Sequence, residues 1–140
     1  MQKNDGEQAW DVIQQSIELS KMGEMRQALE LLDEFLAKAS SNNWKDAIRL
    51  VAGTAAVMAD TAGNPELVRR YHEQLLTYFP EDTQALYGIA RALHKQGETD
   101  LAKEYATKCY ELSIRRKSEL DLSIAELIVN QWPELNQRNH

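Results

Sequence analysis

Two stretches of this chain share one layout at a fixed distance. Asp60 to Pro80 and Lys95 to Ser113 each hold a lone glycine followed by a helical pattern of apolar residues. The step from Gly63 to Gly97 equals the step from Val68 to Ala102. It is a period of about 34 residues, which fits one helix–turn–helix hairpin. Such a hairpin cannot bury its apolar face alone, so copies stack side by side. The repeat therefore restricts the chain to stacked helical hairpins, an architecture that works by offering a binding surface.

Composition agrees with this reading. A chain of 140 residues is one ordinary domain, long enough to bury a core. Hydrophobic residues are 43% and charged residues 27%, the balance of a soluble globular protein. All three prolines fall where a helix should start or stop, which favours an all-helical chain. The net charge of −6 argues against nucleic-acid binding, which needs a basic footprint, and less strongly against membrane surfaces. No run approaches the ~18 apolar residues of a membrane span. Met1 to Glu7 is polar and lacks the apolar run of a signal peptide, so a cytoplasmic location is expected. Cys109, the lone cysteine, lies in a helical pattern and reads as a small core side chain. A reactive thiol would want a basic, open setting, and only Lys108 adjoins it.

Taken in order, residues 1–7 are expected to be disordered. Helices are expected over 8–21 and 25–39, with Gly23 as the turn. Ser40 to Asn43 favours turns and caps, and should break the pattern. The step from Gly23 to Gly63 is longer than the repeat period, so six extra residues sit here. They are expected to lengthen the loop and the start of a third helix, 44–61, anchored by Trp44. Asn64-Pro65-Glu66 restarts the chain with a cap, a proline at the first helical position and an early acid. The fourth helix should run to about Phe79. Asp82 should cap a fifth helix to about Gln96, and Gly97 should turn it into a sixth, 99–115. Ser118 opens a seventh helix to about Gln131, with Leu120, Ile124, Leu127 and Ile128 on one face. Residues 132–140 are expected to fray.

These residues carry a resemblance to the tetratricopeptide-repeat family. The third repeat, about 82–115, supplies Leu86, Ile89, Ala90, Leu93, Gly97, Ala102, Ala106 and Cys109. The second, about 44–79, supplies Ala52, Ala55, Ala56, Ala59, Gly63, Val68, His72, Leu75 and a closing Pro80. The first, about 8–39, supplies Val12, Leu19, Gly23, Ala28, Leu32 and Phe35, but Gln15 and Ser16 depart from the pattern. Leu120, Ile124 and Leu127 lie one full period beyond Leu86, Ala90 and Leu93, so 118–131 resembles a capping half-repeat. The resemblance covers roughly 8–131. It implies an all-α right-handed superhelix of three hairpins plus a C-terminal capping helix. The alternative is a plain antiparallel bundle.

In that family the first helix of each hairpin lines a concave groove where ligands lie. By register this implies Trp10, Ile13, Ile17, Leu50, Gly53, Val57, Gln84, Tyr87, Arg91, His94 and Lys95 as groove residues. The capping helix adds Asp121, Ala125 and Ile128. Such a groove is apolar at one end and cationic at the other, and suits an amphipathic helix or a peptide with an acidic end. The plainer reading makes Trp10, Ile13 and Ile17 core, and Arg91, His94 and Lys95 a solvated helix face. Some members grip a partner's terminal carboxylate with lysines, arginines and asparagines, but this chain lacks the asparagines. His72, His94 and His140 show no metal-ligand spacing, and His72 falls at a packing position. No catalytic group, metal or cofactor is expected. The expected role is a cytoplasmic adaptor or chaperone-like module that binds another protein. Alternatives are a homodimerising structural subunit and a chaperone of the bacterial-secretion type.

Overall fold

Side-chain capping decides where four of the helices begin. Asn4 accepts a hydrogen bond from the Glu7 backbone N–H at 2.8 Å, and its amide reaches back to the Glu7 carboxylate at 3.2 Å. This reciprocal cap starts α1 at Asp5–Lys21, earlier than the apolar periodicity suggested. Residues 5–7 are therefore its first turn. The computed structural model describes residues 4–139, of which 137–139 by backbone alone. Residues 1–3 of the segment expected to be disordered lie outside the described residues. The remaining helices are α2 (Met25–Ser41), α3 (Lys45–Thr61), α4 (Pro65–Tyr78), α5 (Thr83–Lys95), α6 (Thr99–Arg116) and α7 (Glu119–Gln131), followed by a 3-10 helix (Pro133–Asn139). Asn64, Asp82 and Ser118 accept backbone N–H bonds at the starts of α4, α5 and α7, as their side chains predict. Phe79 precedes Pro80 and is steered away from helical geometry, so α4 stops at Tyr78.

The turns share one closure. Gly23, Gly63 and Gly97 take φ of 81°, 72° and 82°. In each, the next residue's N–H bonds back to a carbonyl five residues earlier, at 2.8–3.0 Å. The same bond closes the α2–α3 connection, Trp44 N–H to Ala39 C=O at 2.9 Å, with Asn43 at φ 55° in the glycine's place. Ser40 and Ser41 accordingly stay helical. The six extra residues therefore lengthen helices and leave the loop short. Helices α2 and α3 have 17 residues each, against 14 and 13 in α4 and α5. Trp44 sits at the added turn, with its ring 6.2 Å from Phe35 and the Lys38 ammonium 5.6 Å above it.

The chain divides into two compact units, Met1–Tyr78 and Phe79–His140. In the first, α1–α2 and α3–α4 form antiparallel hairpins, and α3 also packs on α2 and α1. Small residues make this possible. Ala47, Ala52, Ala55, Ala56 and Ala59 of α3 are buried, so its backbone lies close to its neighbours. Leu32, Leu36, Ile48 and Val51 fill the space between, each worth about 1.5–3 kcal/mol when fully buried. Ser16, off-pattern in the sequence, is small and fully buried, and its hydroxyl donates to the Ile13 carbonyl at 2.8 Å. The Tyr71 hydroxyl donates to Asp33 Oδ1 at 2.7 Å and ties α4 to α2.

In the second unit α5 and α6 pair through Leu86, Ile89, Ala90, Leu93, Ala102 and Ala106, all buried. Helix α7 packs on both. Ile124 and Ile128 are buried as expected, but Leu120 and Leu127 are 53% and 48% exposed. Their equivalents Leu86 and Leu93 are covered by the partner helix of a hairpin. Among the described residues no such helix follows α7. The tail expected to fray instead coils against α7, burying Trp132 and Leu135.

Candidate functional site: the open face of the first unit

The step from Gly23 to Gly63 relates α1 to α3. It pairs Trp10 with Leu50, Ile13 with Gly53 and Ile17 with Val57. On α1, Trp10 is 57% exposed, Ile17 is half-buried and Ile13 is interior at 5%. On α3, Leu50 and Val57 are 49% and 67% exposed. A folded chain normally turns side chains of this size inward. Here three stand in water at matching positions on two helices that touch. Gly53 lies between Leu50 and Val57 along α3. A Cβ placed there would meet no atom within 4 Å, so the helix carries an open notch at that point. Ile13 is thus core, while Trp10, Leu50 and Val57 form an apolar surface with Ile17 at its edge.

The corresponding face of the second unit differs. Gln84 is exposed, Tyr87 and Arg91 are half-buried, and His94 and Lys95 are exposed. The Arg91 guanidinium lies 5.7 Å from the Tyr87 ring, one helical turn away. The His94 ring meets Trp132 edge-on at 5.9 Å. Glu134 in the same tail pairs with Lys103 at 3.4 Å; a backbone hydrogen bond, together with that pairing, lowers its carboxyl's pKa. The three α7 positions assigned to a groove are interior. Ala125 and Ile128 are buried, and Asp121 accepts from the Thr83 hydroxyl at 2.9 Å and the Ser118 hydroxyl at 2.7 Å. Helix α7 packs on α6, α5 and the tail. Trp132 and Leu135 were missed in the sequence. Their spacing of three across a proline was the available signal for a packed 3-10 turn.

The Cys109 thiol is fully buried, donates to the Thr83 carbonyl at 3.2 Å, and has its pKa pushed up to about 12 by burial. Only the thiolate is nucleophilic. His72 is half-buried at its packing position. Among the described residues no three His, Cys, Asp or Glu side chains gather into a metal-binding group, and no helix is long and apolar enough to cross a membrane.

No family model matches the chain, and no curated protein matches it significantly. Among solved structures it is similar to the C-terminal TPR-containing domain of a putative FK506-binding protein from Plasmodium falciparum. The TM-score is 0.64 at 18% identity, over 96% of this chain and 97% of that one. At that identity the likeness concerns architecture. With three helical hairpins and a closing seventh helix, the chain has the fold of a tetratricopeptide-repeat domain.

Proposed function

We propose that this chain is a non-enzymatic protein-interaction module, an adaptor or chaperone-like protein, whose partner docks an apolar segment on the α1–α3 face of the first unit. The observation that carries this reading is the exposure of Trp10, Leu50 and Val57 on adjoining helices at matching register. Such a surface suits the apolar side of an amphipathic helix. The α5 face of the second unit, with Arg91, His94 and Lys95, is a separate surface that takes acidic groups. The likeness to a tetratricopeptide-repeat domain supports a binding role.

A photo-reactive residue placed at position 57 tests the reading, with one at position 108 as control. In extract from the native host, position 57 should yield an adduct with another protein that is lost in Trp10→Ala. Ile17→Ala should weaken that contact with little dependence on salt. Arg91→Glu with Lys95→Glu should weaken binding of an acidic partner in a way that fades as salt rises, because exposed charges are screened over about 10 Å at 0.1 M. Equal adducts from positions 57 and 108 would remove the α1–α3 face as the site.

A further inference from the structure

We infer that the outer row of α7 is a second docking surface, and that it takes a single helix of a partner protein with small side chains along one face. The inference is independent of the α1–α3 reading. Leu120, Ser123 and Leu127 follow Leu86, Ile89 and Leu93 of α5 by one period. The α5 residues are buried, whereas Leu120 and Leu127 stand half in water and Ser123 is exposed. The tail that packs on α7 leaves this row open. The end of a helical stack normally carries polar side chains. Helix α7 does so on one side only. Exposed Glu119 and Glu126 stand one period after buried Ala85 and Ala92, so that side is suited to water. The leucine row runs between those acids and the buried Ile124.

The chain itself shows which mate such a row takes. Its later hairpins match large side chains with small ones. In α3–α4, Ala52, Ala55 and Ala59 are matched by Val68, Tyr71 and Leu75, all buried. In α5–α6 the sizes are reversed, and Leu86, Ile89 and Leu93 are matched by Ala102, Ala106 and Cys109. Close packing requires this balance of volume. Helix α7 repeats the large side of α5, so its mate resembles α6, with small residues four and three apart on one face. Among the described residues every other long helix is already paired in a hairpin, so the mate comes from outside them. Only the hairpin row is apolar, and the acids beside it leave no place for further stacking. The surface therefore calls for one helix.

Nuclear magnetic resonance of the isotope-labelled full chain tests this with a defined probe, a synthetic peptide of the α6 segment Thr99–Arg116 carrying Cys109→Ala. Its addition should shift the amides of α7 and saturate below about 1 mM, the weak end of specific binding. In the full chain, Leu127→Glu should weaken binding at least about tenfold. Leu122→Glu is the control. Leu122 is 49% exposed but lies about 200° round α7 from Leu120, so binding should not change. The two variants should melt at the same temperature, since each replaces a half-exposed leucine. A second peptide needs no change in the protein. With Ala102→Leu and Ala106→Leu it is more apolar but has lost its small face, and should bind at least about tenfold more weakly. No shift in α7, an equal loss in Leu122→Glu, or equal binding of the leucine peptide overturns the inference. Shifts of the same amides that grow with the concentration of the chain alone would seat a second copy there and overturn a partner helix. None of these outcomes bears on the cross-linking test at position 57.

Discussion

Lys117 ends α6 at φ 59°, a conformation that glycine occupies at three other turns. A side chain there costs about 1–2 kcal/mol relative to an ordinary conformation. Lys117→Gly is therefore expected to raise stability by about 1 kcal/mol in urea melts, after allowing for the extra freedom glycine has when unfolded. No gain would mean that Lys117 earns its place through contacts. Two buried groups set the behaviour in alkali. Burial raises Cys109 from 9.0 to about 12, and burial with the Asp33 hydrogen bond raises Tyr71 from 10.0 to about 12. The folded chain thus keeps protons that the unfolded chain releases. Stability is full below about pH 9 and falls as pH rises towards 12. Between pH 9 and 10 the thiol contributes more than Tyr71, so Cys109→Ala should make the decline there shallower. An unchanged slope would point to another titrating group.

At the scale of elements, turns and caps decide the outcome. Gly97→Val forces a branched residue to φ 82° and should cost about 1–2 kcal/mol. Lys108→Val, on the exposed side of α6, should cost less than about 0.7 kcal/mol. Similar losses from both would remove the turn as the cause. Helix α7 is structural despite its exposed leucines. Ending the chain after Lys117 deletes buried Ile124, Ile128, Trp132 and Leu135 and leaves Thr83 without Asp121. The expected result is aggregation, or a fall in Tm of roughly 10 °C or more, since each kcal/mol lost is worth several degrees. A soluble truncation of equal Tm would make α7 a detachable tail.

At the scale of the whole molecule, the division into two compact units predicts how the chain opens. Local unfolding follows units with many internal contacts. Amide hydrogen exchange in low urea should therefore group the slow amides of α2–α4 in one set and those of α5–α6 in another. One common opening free energy for all of them would show a single cooperative block. Each unit also keeps its own kind of open surface. The first has apolar side chains on α1 and α3, and the second has the Tyr87–Arg91 pair, the tail-bound His94 and the exposed Leu120, Leu122 and Leu127 of α7.

What the sequence determined by itself was local. Glycine at positions 23, 63 and 97, prolines at 65 and 80, and caps at Asn64, Asp82 and Ser118 act through backbone geometry a few residues away. Helix order, the tight turns and most of the alanine-rich core follow from them. The Asn4 cap and the left-handed Asn43 were legible in principle, but a reading based on apolar period and glycine passed over both. Only the tertiary structure decided which apolar residues stay in water. Trp10 and Ile13 carry the same hydrophobic signal, yet one is open and the other interior, because exposure depends on which neighbouring helix covers which side. Leu120 and Leu127 repeat the phase of Leu86 and Leu93, but phase buries a residue only where another helix arrives. Trp132 and Leu135 are buried for the converse reason. A short segment with no helical period of its own finds a surface on α7 that packing, not periodicity, left open.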